Sequence, residues 1–327
     1  MSRIVRAVTC TIAIALAAPA TAQQNHQHAG TDTAHSRMHA QHHGEPHAWT
    51  GLARPHWPEL SETAREQVAR VEAAVAKFAT PEAARSAGFR PALGLIPTMG
   101  VHWVNRTRVR DGQSLDLDTP DHLMFAPVNG KETLVGIAFA YNARPDDVSP
   151  DGFDGDLDAW HTHPDLSPPG TTLTMLHVWF VPSPDGPFAG HNPWLPYWAA
   201  GMEPPPAELL ATPENSRLVR GVGLAIAETI DAASLDRRAG RIAAAVRPRV
   251  EPRRDAIRAL LPQLEAARKA DDDAQWRPLA EQAVAQWEAI RDIYLTAIPV
   301  PAVRERLAQF YQEMLIGGHG AHGGHTP

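Results

Sequence analysis

The stretch Leu123-Met124-Phe125-Ala126-Pro127-Val128-Asn129-Gly130-Lys131-Glu132-Thr133-Leu134-Val135-Gly136-Ile137-Ala138-Phe139 decides the fold class. Asn-Gly is the favoured pair for a two-residue type I′ turn, because both residues tolerate positive φ. The two apolar runs flanking it therefore read as an antiparallel hairpin. Met99 to Val104 and Leu173 to Val181 read as two further strands.

Helices border this β region on both sides. Upstream, Ser61 is a candidate N-cap, and Val68, Val71, Val75 and Phe78 recur at helical spacing. Thr80-Pro81-Glu82 reads as a cap followed by proline in the first turn of a short helix that Gly88 ends. Downstream, Thr212-Pro213-Glu214 repeats that start. Arg253 to Ala270 and Gln275 to Ala297 are long segments with apolar residues every three or four positions. Breaks at Pro248, Asp271-Asp272-Asp273 and Pro299-Val300-Pro301 suit antiparallel helices with short links. The expectation is an α+β protein: an N-terminal helical hairpin, an antiparallel sheet for which a cupin-like form is one option, and a C-terminal helical bundle.

The expected organisation has five parts. Residues 1–22 read as a signal peptide, from Arg3 and Arg6, the apolar Thr11 to Ala18, and Ala20-Thr21-Ala22 before the cut. Residues 23–57 read as a disordered His-rich segment, 58–205 as the α+β domain, 206–316 as a helical region packed on it, and 317–327 as a His/Gly-rich tail. The expected location is periplasmic or secreted, with no membrane span. The single cysteine, Cys10, falls in the signal peptide, so thiolate ligands and cysteine nucleophiles are excluded from the mature chain. Losing Arg3 and Arg6 takes the net charge from −7 to −9, which speaks against nucleic acid as a partner.

Histidine carries the chemistry. Eleven of the seventeen lie in the two ends, at 26, 28, 35, 39, 42, 43, 47, 56, 319, 322 and 325, where neutral imidazole suits copper, zinc or nickel. Inside, Trp160-His161-Thr162-His163-Pro164 places two imidazoles on one face of a strand, because alternate residues share a face. His102 and His177 lie in the flanking strands. The candidate metal ligands are therefore His102, His161, His163 and His177, for a divalent transition metal, copper or zinc. His122 and His191 read as surface residues. Met99 and Met175 read as core, with thioether ligation relevant only to cuprous copper. Asp154-Gly155-Asp156-Leu157-Asp158 starts like a calcium loop but lacks glycine at the sixth position and has Asp165 in place of the usual glutamate at the twelfth, and reads as an acidic turn. Its carboxylates could also orient His161 or His163.

The middle of the chain also carries Pro97-Thr98-Met99-Gly100-Val101-His102-Trp103-Val104-Asn105 and Leu176-His177-Val178-Trp179, then Pro184-Asp185-Gly186-Pro187-Phe188 and Asn192-Pro193. Over about residues 80–195 it resembles a family of largely uncharacterised exported bacterial proteins. These carry Met-Gly-x-His-(Tyr/Trp)-x-Asn and Leu-His-x-Trp…Gly-x-Phe…Asn-Pro motifs. The resemblance implies export and a site near His102 and His177; Trp160 to His163 and both His-rich ends fall outside it.

The leading functional expectation is a periplasmic metal-binding protein with an internal histidine site and chelating tails. A second is a metal-dependent enzyme acting on a small molecule, with an acid or base such as Asp158; its catalytic residues are not assigned. A third is an interaction module without metal, docking through Trp194-Leu195-Pro196-Tyr197-Trp198.

Overall fold

The computed structural model describes residues 46–109, 115–163, 167, 169–231, 234–235 and 240–317. The segment read as a signal peptide, most of the His-rich N-terminal segment and the C-terminal residues from 318 lie outside them. The architecture is α+β. Helix α1 (Glu62–Val75) starts at Ser61, whose hydroxyl accepts from Ala64 N, and α2 (Pro81–Ser86) starts at Thr80, which caps Ala83 N. Six strands follow: β1 (Arg90–Ile96), β2 (Gly100–Val104), β3 (His122–Val128), β4 (Lys131–Ala143), β5 (His161–His163) and β6 (Thr172–Trp179). They form one antiparallel sheet in the order β1-β2-β3-β4-β6-β5. The β3–β4 turn is the expected hairpin, with positive φ at both Asn129 and Gly130.

The two sheet faces differ in residue size. One face carries Trp103, Leu123, Phe125, Ile137, Phe139, Leu176 and Val178, packed against Val68, Val71 and Val75 of α1. The other carries Gly136, Ala138 and Ala140 along β4, paired with Met124, His122 and Met175 among others. Gly136 is obligatory there: a Cβ would come within 2.5 Å of the Val178 carbonyl and 2.7 Å of the Met124 methyl. Large residues on one side and small ones on the other let the sheet curl towards the small side. A register shift at Met124/Phe125 adds local twist.

Helix α3 (Leu195–Ala199) packs on the lower part of the curled face, where Leu195 and Trp198 meet Met124, Val128 and Trp179. Helices α4 (Pro213–Glu228), α5 (Arg241–Lys269), α6 (Asp273–Ala297) and α7 (Pro301–Ile316) make a second core around Trp276, Trp287, Ile257 and Tyr294. The hydroxyl of Tyr197 donates to Val219 O at 2.7 Å and ties α3 to α4. No described helix is long and apolar enough to cross a membrane.

Two expectations are corrected, and a third, the acidic turn, stands and gains a packing role. Pro248 does not break the chain: α5 runs through Pro248, Pro252 and Pro262, all on its exposed side, where water can take the carbonyl each ring frees. Residues 46–57 are packed rather than disordered. His47 is buried, its Nε2 3.3 Å from Glu72 Oε1, and Trp49 Nε1 donates to Leu134 O at 2.8 Å. Two tryptophans, Trp49 and Trp57, supply the apolar area that aliphatic residues lack. The acidic turn is a docking element: Asp154 Oδ2 accepts from Ser61 Oγ, and Asp154 N donates to Gln67 Oε1. Asp165, the last position of a calcium loop, lies outside the described residues.

Candidate metal centre

Cross-strand partners share a face, so the sheet register shows which histidines look the same way. His102 pairs with Met124, which shares the face of His122 two residues earlier. His122 pairs with Ala138, and Ala138 pairs with His177. His161 pairs with Met175, two residues before His177, and His163 with Leu173. Five histidines thus occupy the curled face, with glycine and alanine of β4 as the floor between them.

The curl brings two of them into contact. His102 on β2 and His177 on β6 are separated by β3 and β4, about 14 Å at roughly 4.8 Å per strand. Their Nε2 atoms nevertheless lie 3.2 Å apart. The other rings surround this pair. Centroids are 4.6 Å apart for His161–His177, 4.9 Å for His161–His163 and 6.2 Å for His102–His122.

Hydrogen bonds at the far nitrogens set the tautomers. A carbonyl oxygen only accepts, so His177 Nδ1 donates to Gly190 O at 3.0 Å, and His161 Nδ1 donates to Ala159 O at 3.1 Å. His122 Nδ1 lies 3.0 Å from Asp121 Oδ2 and donates to that carboxylate. In the neutral rings this makes Nε2 the lone-pair nitrogen of His177, His161 and His122. Such outer partners are what fix metal-binding imidazoles. Without an ion, His102 Nε2–H donates to the lone pair of His177; with one, both Nε2 lone pairs can face it.

Electrostatics favour the neutral state. Burial holds His102 well below the usual histidine range, and the nearness of His122, His163 and His161 pushes the same way. Burial does the same to His177, reinforced by His161, His102, His163 and His191. A histidine with a depressed folded pKa opposes acid: the unfolded chain takes up protons near the ordinary value of 6.5, while the folded one does not. The metal-free protein is therefore expected to hold a constant denaturation midpoint above about pH 6.5 and to lose stability steadily below it. Urea titrations across that range check this, and a flat profile down to pH 5 would show that the pair is not shielded.

All four expected ligands lie on the curled face. Sequence reading missed His122, which is buried at 6 % exposure with Asp121 as its partner; the adjacent Asp-His pair at a strand start was the available signal. His191 is also buried, with Nδ1 2.7 Å from Thr98 Oγ1, instead of lying on the surface. Asp158 does not orient His161, because the Ala159 carbonyl does. Asp158 accepts from Phe153 N at 2.9 Å, and burial pushes its carboxyl up to about 6. The 194–198 loop is not an exposed patch: Leu195, Tyr197 and Trp198 are buried. The other motif residues hold the frame. Asn105 Nδ2 donates to Ala87 O, Asn192 Nδ2 to Pro182 O and Trp179 Nε1 to Ala189 O.

Two limits of the arrangement bear on its chemistry. Among the described residues, no group of three or more His, Cys, Asp or Glu side chains is placed so that it could hold a metal ion; His102 and His177 form the converging pair, and the others flank it. A cavity of about 40 Å³ is lined by Arg108, Asp116, Asp121, Phe139, Tyr141 and Trp160. That is room for water but falls far short of the roughly 300–1,000 Å³ of an organic-ligand site. In comparisons with protein-family models, with curated proteins and with solved structures, the chain matches none.

Proposed function

We propose that this chain is an exported, non-enzymatic metal-binding protein of the periplasm that holds a transition-metal ion, copper or zinc, among His102, His161, His163 and His177. The histidine-rich ends act as chelating arms that gather the ion. The observation that carries the reading is the 3.2 Å approach of the His102 and His177 Nε2 atoms. Two nitrogens about 2.0–2.1 Å from one tetrahedral ion stand roughly 3.3 Å apart, so the pair already has the spacing of two ligands. Burial keeps both rings in the neutral form a metal needs, and the Gly190 carbonyl fixes the tautomer of His177.

A metal-dependent enzyme is the second reading, favoured by Asp121, which holds His122 and lines the small cavity. The size of that cavity places it behind the binding reading. The test compares the mature chain with its His102→Ala/His177→Ala variant by equilibrium dialysis and metal analysis. Both carry the same terminal histidines, so the interior site reads as a difference of one equivalent. Equal uptake would sink the proposal.

A further inference from the structure

Two histidines on strands that are not neighbours need something to hold them in contact. The segment 182–193, which follows β6, is bonded to both of their strands. It turns where Gly186 N donates to Ser183 O, and then runs back along β6. Pro187 O accepts from Trp179 N at 2.9 Å, Ala189 O from Trp179 Nε1 at 2.7 Å and Gly190 O from His177 Nδ1 at 3.0 Å. The next two residues reach the turn between β1 and β2. Asn192 N donates to Thr98 O at 2.8 Å, and His191 Nδ1 lies 2.7 Å from Thr98 Oγ1. Thr98 stands four residues before His102. The segment is thus a strap from the His177 strand to the start of the His102 strand, by bonds that involve neither β3 nor β4.

The helical bundle holds this strap at two points. Arg220 on α4 donates from Nη1 to Asp185 Oδ2 at 2.8 Å and from Nη2 to Asp185 Oδ1 at 2.5 Å. Such a two-pronged pair fixes the orientation of a carboxylate as well as its distance. The guanidinium is itself held, because Arg220 Nε donates to Ser216 Oγ at 3.0 Å. Its side chain is 4 % exposed, and α7 ends against it: a Cβ at Gly317 would collide with the guanidinium. At the far end of the strap, the Phe310 ring of α7 lies 6.4 Å from the His191 ring between centroids. An ion pair that merely docked the bundle could fall anywhere along the sheet. This one falls on the strap, five residues before the carbonyl that sets the His177 tautomer.

Resting on the metal-binding reading, we infer that Arg220 is a positioning residue for the interior site. Through Asp185 it holds the strap that keeps Gly190 O on His177 Nδ1 and the His102 strand at ligand spacing. The helical bundle thereby sets metal affinity without supplying a ligand.

The experiment compares the mature chain with Arg220→Met and, as a control on the same helix, Arg217→Met, which breaks the exposed pair with Glu288 on α6. Equilibrium dialysis against zinc sulfate, less the uptake of His102→Ala/His177→Ala, gives the affinity of the interior site. Imidazole ¹⁵N spectra of the metal-free chains give the His177 tautomer, which a purely structural pair would leave alone. Arg220→Met should lower the interior affinity about tenfold, the low end of the loss when an outer partner of a ligating histidine is removed. Its His177 signals should move from a single Nδ1–H tautomer towards a mixture of the two. Arg217→Met should match the parent in both. Should Arg220→Met fail to fold, Asp185→Asn, which keeps an acceptor for the guanidinium but not its charge partner, carries the same two expectations. Parent affinity with a parent tautomer, an affinity loss without a tautomer change, or an equal loss in Arg217→Met would overturn the inference. A parent chain that binds no more zinc than His102→Ala/His177→Ala would remove the metal site instead, and the metal-free tautomer would still decide whether Arg220 positions His177.

Discussion

Arg254→Met is expected to destabilise the protein by about 3–5 kcal/mol, the cost of removing one member of a buried ion pair. Arg254, in the middle of α5, donates from Nη2 to Glu228 Oε2 at 2.8 Å and from Nε to the same oxygen at 3.3 Å. Glu228, the last residue of α4, also accepts from Leu235 N at 2.9 Å through Oε1. The side chains of both are only 4 % exposed, so water cannot replace the lost guanidinium. Methionine fills much of the vacated volume, so the loss of the guanidinium beside the buried Glu228 carboxylate is the main penalty. Adding Glu228→Gln removes the charge while keeping an acceptor for Leu235 N, and should recover most of the loss. Urea unfolding of the two variants checks this. A single-variant cost below about 1 kcal/mol, the level of an exposed pair, would show that water reaches the site. Lys269→Ala, which breaks the exposed pair with Glu265, is the reference for that lower level.

The sequence carried local structure better than it carried convergence. Asn129-Gly130, Thr80-Pro81 and Thr212-Pro213 each act within four residues, and the hairpin and both helix starts lie where those residues put them. The reading of Pro248 as a break failed because a proline interrupts a helix only when the freed carbonyl has no alternative partner, and the exposed side of α5 offers water. Strand alternation placed His161 and His163 on one face, as the β5 register has it. Alternation within a strand says nothing about the distance between strands, so the 3.2 Å contact of His102 with His177 was not legible. That contact depends on Gly136, Ala138 and Ala140 facing the same way on β4. In the sequence these are small residues within an apolar run, without a sign that they form the floor of a concavity. His122 was missed for the same reason: its partner Asp121 is adjacent in sequence, but its neighbour His102 is reached only through the β2–β3 register.

Loading the interior site is expected to stabilise the fold by about 2.7 kcal/mol when free metal stands at a hundred times its dissociation constant, because an ion that binds only the folded state shifts unfolding by mass action. The unfolded chain cannot hold His102 and His177 at ligand spacing, since they are brought together by strands from distant parts of the sequence. His102→Ala/His177→Ala should lose that increment entirely, while its terminal histidines still bind metal without affecting the denaturation midpoint. Acid separates the two populations in the same way. A histidine in water is protonated near pH 6.5 and then releases its metal. His102 and His177 stay neutral well below that value because burial opposes their charging. Dialysis at pH 5.5 should therefore strip loosely held metal and leave one equivalent on the parent chain and none on the double variant. Stabilisation by metal that is equal in parent and variant would mean that the ion acts through the chain ends, and the buried histidines would then be core residues satisfied by each other.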